Sequence, residues 1–298
     1  MGKASRIKQQ SAREKIAAQR EAARKAERRN RMLITGGSTL AVLVIVLVFV
    51  VIKLTQGSPS SAGNTSTTGT LLPASVASQV TGVPLGTLNR VGKGAVPSYT
   101  PTPLSAGSGA TLTSGGKPEM LYIGAEFCPY CAAMRWSMAV ALSRFGTLTP
   151  LHGIYSAPSP ESFPNTATLT YYKSGYSSKY LTFAPVENLT VTHALLQNPT
   201  SEQNAIWAKY EPDPNTRGYP FIDFGNKLLL KAPIYNPAVL AGKSWSQIAA
   251  ALKDPTSPIA QNVDGAANYI TGAICRMTNN QPASVCTSPA VTAVQSGL

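Results

Sequence analysis

The chain has 298 residues, a formal net charge of +13 and four cysteines, with 43% hydrophobic residues. That length can bury a sizeable core in one large domain or two small ones. The charge is concentrated: residues 1–31 hold eleven Lys/Arg against three Glu, Lys53 adds one, and only +4 falls on residues 54–298, which excludes a nucleic-acid-binding face there.

Lys3 to Arg31 is mostly Lys, Arg, Glu, Ala and Gln with hardly any apolar stripe. It reads as a solvated or membrane-surface helix, a basic cytoplasmic tail beside anionic lipid, with RNA or a cytosolic partner as the alternative. Met32–Ile52 carries no charge, and about 20 such residues span a bilayer as a helix. No Ala-x-Ala site follows it, so a retained transmembrane helix over 32–54 is predicted rather than a cleaved signal peptide. The basic flank puts residues 1–31 in the cytoplasm and the cysteines outside, in a single-pass protein of the cell membrane. Residues 55–70, rich in Gly, Ser and Thr, read as a flexible linker, and an extracytoplasmic domain is expected over 71–298.

Within that domain, Ala74–Val80 suggests a short helix and Leu85–Val91 a short strand, followed by a Gly-, Pro-, Ser- and Thr-rich stretch over 92–116. Glu119–Glu126 reads as a strand. It runs into Phe127-Cys128-Pro129-Tyr130-Cys131 and then a helix predicted over Cys131–Phe145, with Met134, Met138, Leu142 and Phe145 at helical spacing. Two cysteines separated by two residues at the start of a helix have the context of redox chemistry. The unpaired N–H groups and the positive end of the helix dipole stabilise a thiolate at Cys128, the expected nucleophile. Cys131 lies one turn on, placed to resolve a mixed disulfide.

At these residues the chain resembles the thioredoxin superfamily: Ala125-Glu126-Phe127-Cys128 is similar to the Ala-Glu-Trp-Cys of thioredoxins, and Pro129-Tyr130 to the dipeptide of glutaredoxins. Leu121–Trp136 further resembles an uncharacterised family of membrane-anchored, thioredoxin-like proteins classed as a domain of unknown function. The resemblance covers roughly Lys117 to Leu252 and implies an α/β, thioredoxin-like three-layer fold. One departure concerns the buried aspartate that thioredoxins carry in the strand before the motif, because the matching position here is Tyr122.

Leu148–Ser156 reads as the next strand, with His152 as a core or edge residue. Ser162–Thr192, rich in Tyr and Thr, reads as an inserted β-hairpin or meander. Thr200 and Gln203 form a capping pair for a helix over Ser201–Tyr210. Gly225-Asn226 lies between the apolar runs Phe221–Phe224 and Leu228–Leu230, marking a hairpin. The superfamily resemblance implies that Tyr219-Pro220, opening that hairpin, is a cis-proline facing the Cys-x-x-Cys. Pro129, Tyr130, Tyr219 and Pro220 are then the expected substrate-binding residues. Ser244 caps a helix through Leu252, and Ser257-Pro258 begins a C-terminal helical extension carrying Ile259, Val263, Ala266, Ile270 and Ile274 on one face. Cys275 then lies in a loop that a structural disulfide to Cys286 closes.

These features point to a membrane-anchored, extracytoplasmic thiol–disulfide oxidoreductase that acts on protein or small-molecule thiols and disulfides. The direction of exchange, the substrate and the oligomeric state stay open, and no cofactor is expected. One rival is a zinc site built from four thiolates, which the ten-residue gap between Cys275 and Cys286 and an oxidising compartment disfavour. The other is a non-catalytic binding or structural module of the cell envelope.

Overall fold

The structure, a computed structural model, describes residues 69–95, 99–105 and 109–298. The predicted tail, the transmembrane helix and the linker up to residue 68 lie outside the described residues. Among the described residues no helix is long and apolar enough to cross a membrane. Thr70, assigned to the linker from sequence, already pairs with Gly153.

The architecture is mixed α/β. Strand β1 (Thr70–Leu71) leads to α1 (Ala74–Thr81) and then to Leu85–Val91, which is a helix, α2, and not the strand expected. Pro84 at its N-cap pre-sets the entry, and the helical turn puts Leu88 and Val91 on one buried face, a spacing that alternation does not fit. Two short strands, β2 (Thr102–Pro103) and β3 (Thr113–Ser114), precede the central strand β4 (Lys117–Gly124). Helix α3 (Pro129–Leu142) follows at once. All its residues but Tyr130 are buried, so it runs through the core instead of over the surface.

The expected single strand over Leu148–Ser156 is two strands in different sheets, β5 (Gly146–Thr149) and β6 (His152–Tyr155), because Pro150 between them cannot donate to a ladder. The Tyr-rich segment is likewise no single hairpin or meander. Its strands β7 (Ala167–Thr170), β8 (Gly175–Ser178) and β9 (Thr182–Glu187) join three different partners: β6, β5 and, in parallel, β4. Its tyrosines anchor α3, with the Tyr171 hydroxyl donating to the Arg135 carbonyl at 2.7 Å and that of Tyr176 to Leu142 at 3.0 Å.

Helix α4 (Ser201–Tyr210) starts at a complete capping box of Thr200 and Gln203. The hairpin β10 (Phe221–Phe224) and β11 (Leu228–Leu230) turns at Gly225 and Asn226, both with positive φ, as a tight turn of matching twist requires. A 3₁₀ turn (Pro237–Leu240), α5 (Trp245–Ala251) and the twenty-residue α6 (Pro258–Met277) come next. Two short helices, α7 (Ala283–Cys286) and α8 (Pro289–Gln295), which sequence reasoning left unassigned, end the chain. A disulfide joins Cys275 and Cys286, with Cα atoms 5.6 Å apart. Cys275 belongs to the last turn of α6 and not to a loop.

In the main sheet the order is β2-β11-β10-β4, with β3 and β9 also pairing β4. Side-chain alternation divides its two faces. Met120, Tyr122, Ile222 and Phe224 pack with α3 and α6 in the larger core, while Leu121, Ile123 and Phe221 pack with Trp207 of α4 in a smaller one. Helices thus cover both faces of the sheet.

The larger core contains one carboxyl with no polar partner. Asp264 on α6 is fully buried, neither of its oxygens is hydrogen-bonded, and burial pushes its pKa up to about 8. A carboxyl that holds its proton more tightly folded than unfolded contributes stability at low pH, and that contribution is lost as pH rises from the unfolded pKa toward the folded one. Burial likewise raises Glu126 to about 7 and Asp223 to about 6, so all three act in the same direction. The melting temperature is therefore expected to fall between about pH 4 and pH 8. Asp264→Asn should flatten much of that fall, measured as melting curves across this range. An equally steep decline in the variant would refute the assignment.

Candidate active site

The site forms where β4 ends and α3 begins. Parallel pairing of Gly124 with Glu187 brings the end of β9 alongside, and the Glu126 N–H donates to the Leu189 carbonyl at 2.8 Å. Cys128 is the N-cap of α3, in extended conformation (φ −71°, ψ 119°), with Pro129 in the first turn of the helix. Its sulfur accepts the Cys131 backbone N–H at 3.2 Å, and its thiol lies 3.7 Å from the Tyr219 carbonyl. Both cysteines are free thiols. Cys128 is 4% exposed and Cys131 fully buried, so Cys128 is the one within reach of a partner.

Electrostatics separate the two thiols. The Cys131 thiol hydrogen bond is the largest influence lowering the Cys128 pKa, helped by the Cys131 and Tyr130 N–H groups and by Arg135, against the opposing effect of burial. Burial is also what raises Cys131 most, reinforced by the Cys128 sulfur, and its pKa lies well above the ordinary thiol value. One thiolate at the outer sulfur and one thiol at the inner is the arrangement expected of a nucleophile and its resolving partner.

Beneath the cysteines lies a buried charge that sequence reasoning missed. Arg135 is completely buried. Its Nε and Nη2 donate to the Glu187 carboxylate at 2.9 and 2.6 Å, and Nη2 also donates to the Ala125 carbonyl at 2.7 Å. Glu187 further accepts the Tyr171 N–H at 3.1 Å. Burial works against the guanidinium charge, but Glu187, with Tyr122 and Cys131 in support, outweighs it and holds the pKa well above the usual arginine value. A pair at helical position 135 and strand position 187 shares no short sequence motif, so nothing local could have announced it. Glu126 is a separate carboxyl: it accepts the Thr170 hydroxyl at 2.7 Å and is raised by burial.

The mouth of the site is aromatic. Phe127 stacks on His193 with ring centroids 4.0 Å apart and meets Tyr219 edge-on at 6.0 Å, while Tyr130 meets Phe163 edge-on at 5.9 Å. Tyr130 is exposed, Tyr219 half-buried, and Pro129 and Pro220 are buried. The Tyr219–Pro220 bond is cis. The Tyr219 hydroxyl donates to the Asn188 side chain, which fastens the approach to β10 against the loop after β9. His193 lies in that loop, in left-handed conformation, and it escaped sequence reasoning because no spacing links it to Phe127. Among the described residues no group of His, Cys, Asp and Glu could hold a metal ion, and Cys275 and Cys286 are joined to each other.

Two outcomes are expected. Glu187→Gln leaves Arg135 buried without a counter-charge and should cost about 3–5 kcal/mol of stability in denaturant unfolding. A loss under ~1 kcal/mol, the range of exposed pairs, would mean that the pair carries no such weight. With iodoacetamide, the reduced protein should be modified first at Cys128, at a pH below that needed for an ordinary thiol, and Cys131 should resist. Peptide mapping after timed quenching would identify the order, and earlier modification of Cys131 would contradict the electrostatics.

No curated protein and no solved structure matches the chain. A family model matches residues 105–276, more than half of the chain, a span that contains the cysteine pair and every residue of the buried cluster beneath it. The chain therefore belongs to the family described as a domain of unknown function, DUF929.

Proposed function

We propose that the protein is a membrane-anchored, extracytoplasmic thiol–disulfide oxidoreductase of thioredoxin-like fold. The observation that carries this is the placement of Cys128 as the N-cap of α3, its sulfur held by the Cys131 N–H and its pKa lowered, with a protonated thiol one turn below it. The uncharged Met32–Ile52 run and its basic flank support the anchor and its orientation. Helices on both faces of the sheet, and Tyr219-Pro220 facing Cys128, support the thioredoxin-like comparison.

The chemistry is two successive exchanges. The Cys128 thiolate attacks a substrate disulfide R–S–S–R′, forming Cys128–S–S–R and expelling R′–S⁻, which takes a proton. The Cys131 sulfur then attacks Cys128, forming the Cys128–Cys131 disulfide and expelling R–S⁻, to which the Cys131 proton passes. Two electrons leave the dithiol and reduce the substrate; the reverse sequence oxidises a substrate dithiol. The aromatic rim of Phe127, Tyr130 and Tyr219 supplies apolar contact for the chain on either side of the substrate sulfur.

Cys128→Ser is expected to abolish disulfide exchange in a turnover assay with a model disulfide, with the melting temperature almost unchanged. Cys131→Ser should retain the first exchange and accumulate mixed disulfides, visible as adducts that a reductant dissolves on a non-reducing gel. Cys286→Ser, at the structural bridge, should lower stability by about 2–4 kcal/mol while its folded fraction stays active. Full exchange activity in Cys128→Ser would defeat the proposal.

A further inference from the structure

Two buried donors near the cysteine pair have no acceptor. The Tyr122 hydroxyl and Arg135 Nη1 are both fully buried and make no hydrogen bond. Such orphans cost stability unless some state of the protein satisfies them. The Tyr122 ring folds along β4 over Gly124, which has no Cβ; a Cβ there would collide with the Tyr122 hydroxyl. This route carries the hydroxyl to the side of Cys131, where phenol and thiol act on one another although no aligned hydrogen bond joins them. Arg135, one helical turn beyond Cys131, adds its charge to the same sulfur.

No carboxylate faces Cys131. The titratable and charged groups around it are Cys128 and Arg135 from α3, Tyr122 from β4 and Tyr219 from the approach to β10. Glu187 is engaged by Arg135, and Glu126 by Thr170. The surroundings of Cys131 are thus built from donors and not from a proton acceptor. A neutral thiol or disulfide sulfur is a weak acceptor, whereas a thiolate is a strong one.

We propose that Tyr122 and Arg135 form the seat of the Cys131 thiolate, stabilising the charge that develops on Cys131 Sγ as it attacks the mixed disulfide at Cys128. This rests on the oxidoreductase assignment above. In the step itself the Cys131–Cys128 S–S bond forms, the Cys128–S–R bond breaks, and R–S⁻ departs with the proton that Cys131 loses. The Tyr122 phenol remains protonated throughout and only donates, which burial favours by holding its pKa well above the ordinary tyrosine value. Within this device the Tyr122 hydroxyl bears on resolution and not on first attack, whereas the Arg135 charge favours the thiolate at both sulfurs.

The reaction of the reduced full-length protein with Ellman's disulfide separates these steps. Attack by Cys128 releases one thionitrobenzoate, and resolution by Cys131 releases the second. Tyr122→Phe, which removes only the hydroxyl, should leave the first release within about twofold and slow the second about tenfold or more, with its pH midpoint raised. Arg135→Lys keeps a charge opposite Glu187 but lacks Nη1, and it should slow the same second release. Cys131→Ser marks the baseline by abolishing it. A purely structural role for Tyr122 would change the melting temperature without moving the pH midpoint. Second releases unchanged in rate and midpoint in both variants would overturn the inference alone. A wild-type protein that releases no thionitrobenzoate would overturn the oxidoreductase assignment and the inference with it.

Discussion

The buried pair of Arg135 and Glu187 is the constraint around which the site is arranged. It ties the second turn of α3 to the end of β9, two elements that meet only because β9 pairs in parallel with β4. A full guanidinium charge inside a protein is tolerable only with a counter-charge and satisfied donors. Glu187 supplies the first, and the Ala125 carbonyl part of the second. The same contact to Ala125 holds the backbone just before the cysteine turn, so the charge pair and the geometry of Cys128 are one structural unit.

That unit explains why α3 can be so deeply buried. Its backbone carbonyls receive hydroxyl donors from the surrounding strands, from Tyr171, Tyr176 and Thr168, and from Tyr235 beyond the sheet. Trp136 reaches outward in the other sense, its ring N–H donating to Ala167 at 2.9 Å. A helix pinned on several sides presents its N-terminus as a rigid platform, and a thiol at such a platform keeps its environment as partners come and go. The loop after β9 completes the mouth, fastened through Asn188 to Tyr219 and through Gln197 to Asn188.

The C-terminal extension stabilises from the opposite side. Helix α6 packs its apolar face along α3, and the Cys275–Cys286 bridge fixes the short helix that follows. Its loop is local, so it restrains the unfolded chain modestly and sits far in sequence from the reactive pair. The two cysteine pairs therefore have different environments: one is sealed in a disulfide, and the other is held as thiols at a helix start.

Features governed by neighbouring residues were legible in the sequence. Thr200 with Gln203 and Ser244 with Gln247 form the capping boxes their spacing announces, and Gly225-Asn226 makes the turn, because caps and tight turns are satisfied within four residues. The helix after the cysteine motif, expected over Cys131–Phe145, instead runs over Pro129–Leu142, with Cys128 as its N-cap. Mixed α/β architecture is what the resemblance at the cysteine motif implies, and the described elements have it. Tertiary structure decided what short-range chemistry leaves degenerate. Leu85–Val91 suits a strand or a helix by composition and became a helix because its buried face matched α6. The strands of the Tyr-rich segment went to three different partners because pairing is chosen by burial across the whole domain, not by proximity along the chain. Arg135, Tyr122, Glu187 and His193 acquired their roles only on folding, since a charge, a phenol and a ring stack take their chemistry from whichever groups the fold sets beside them.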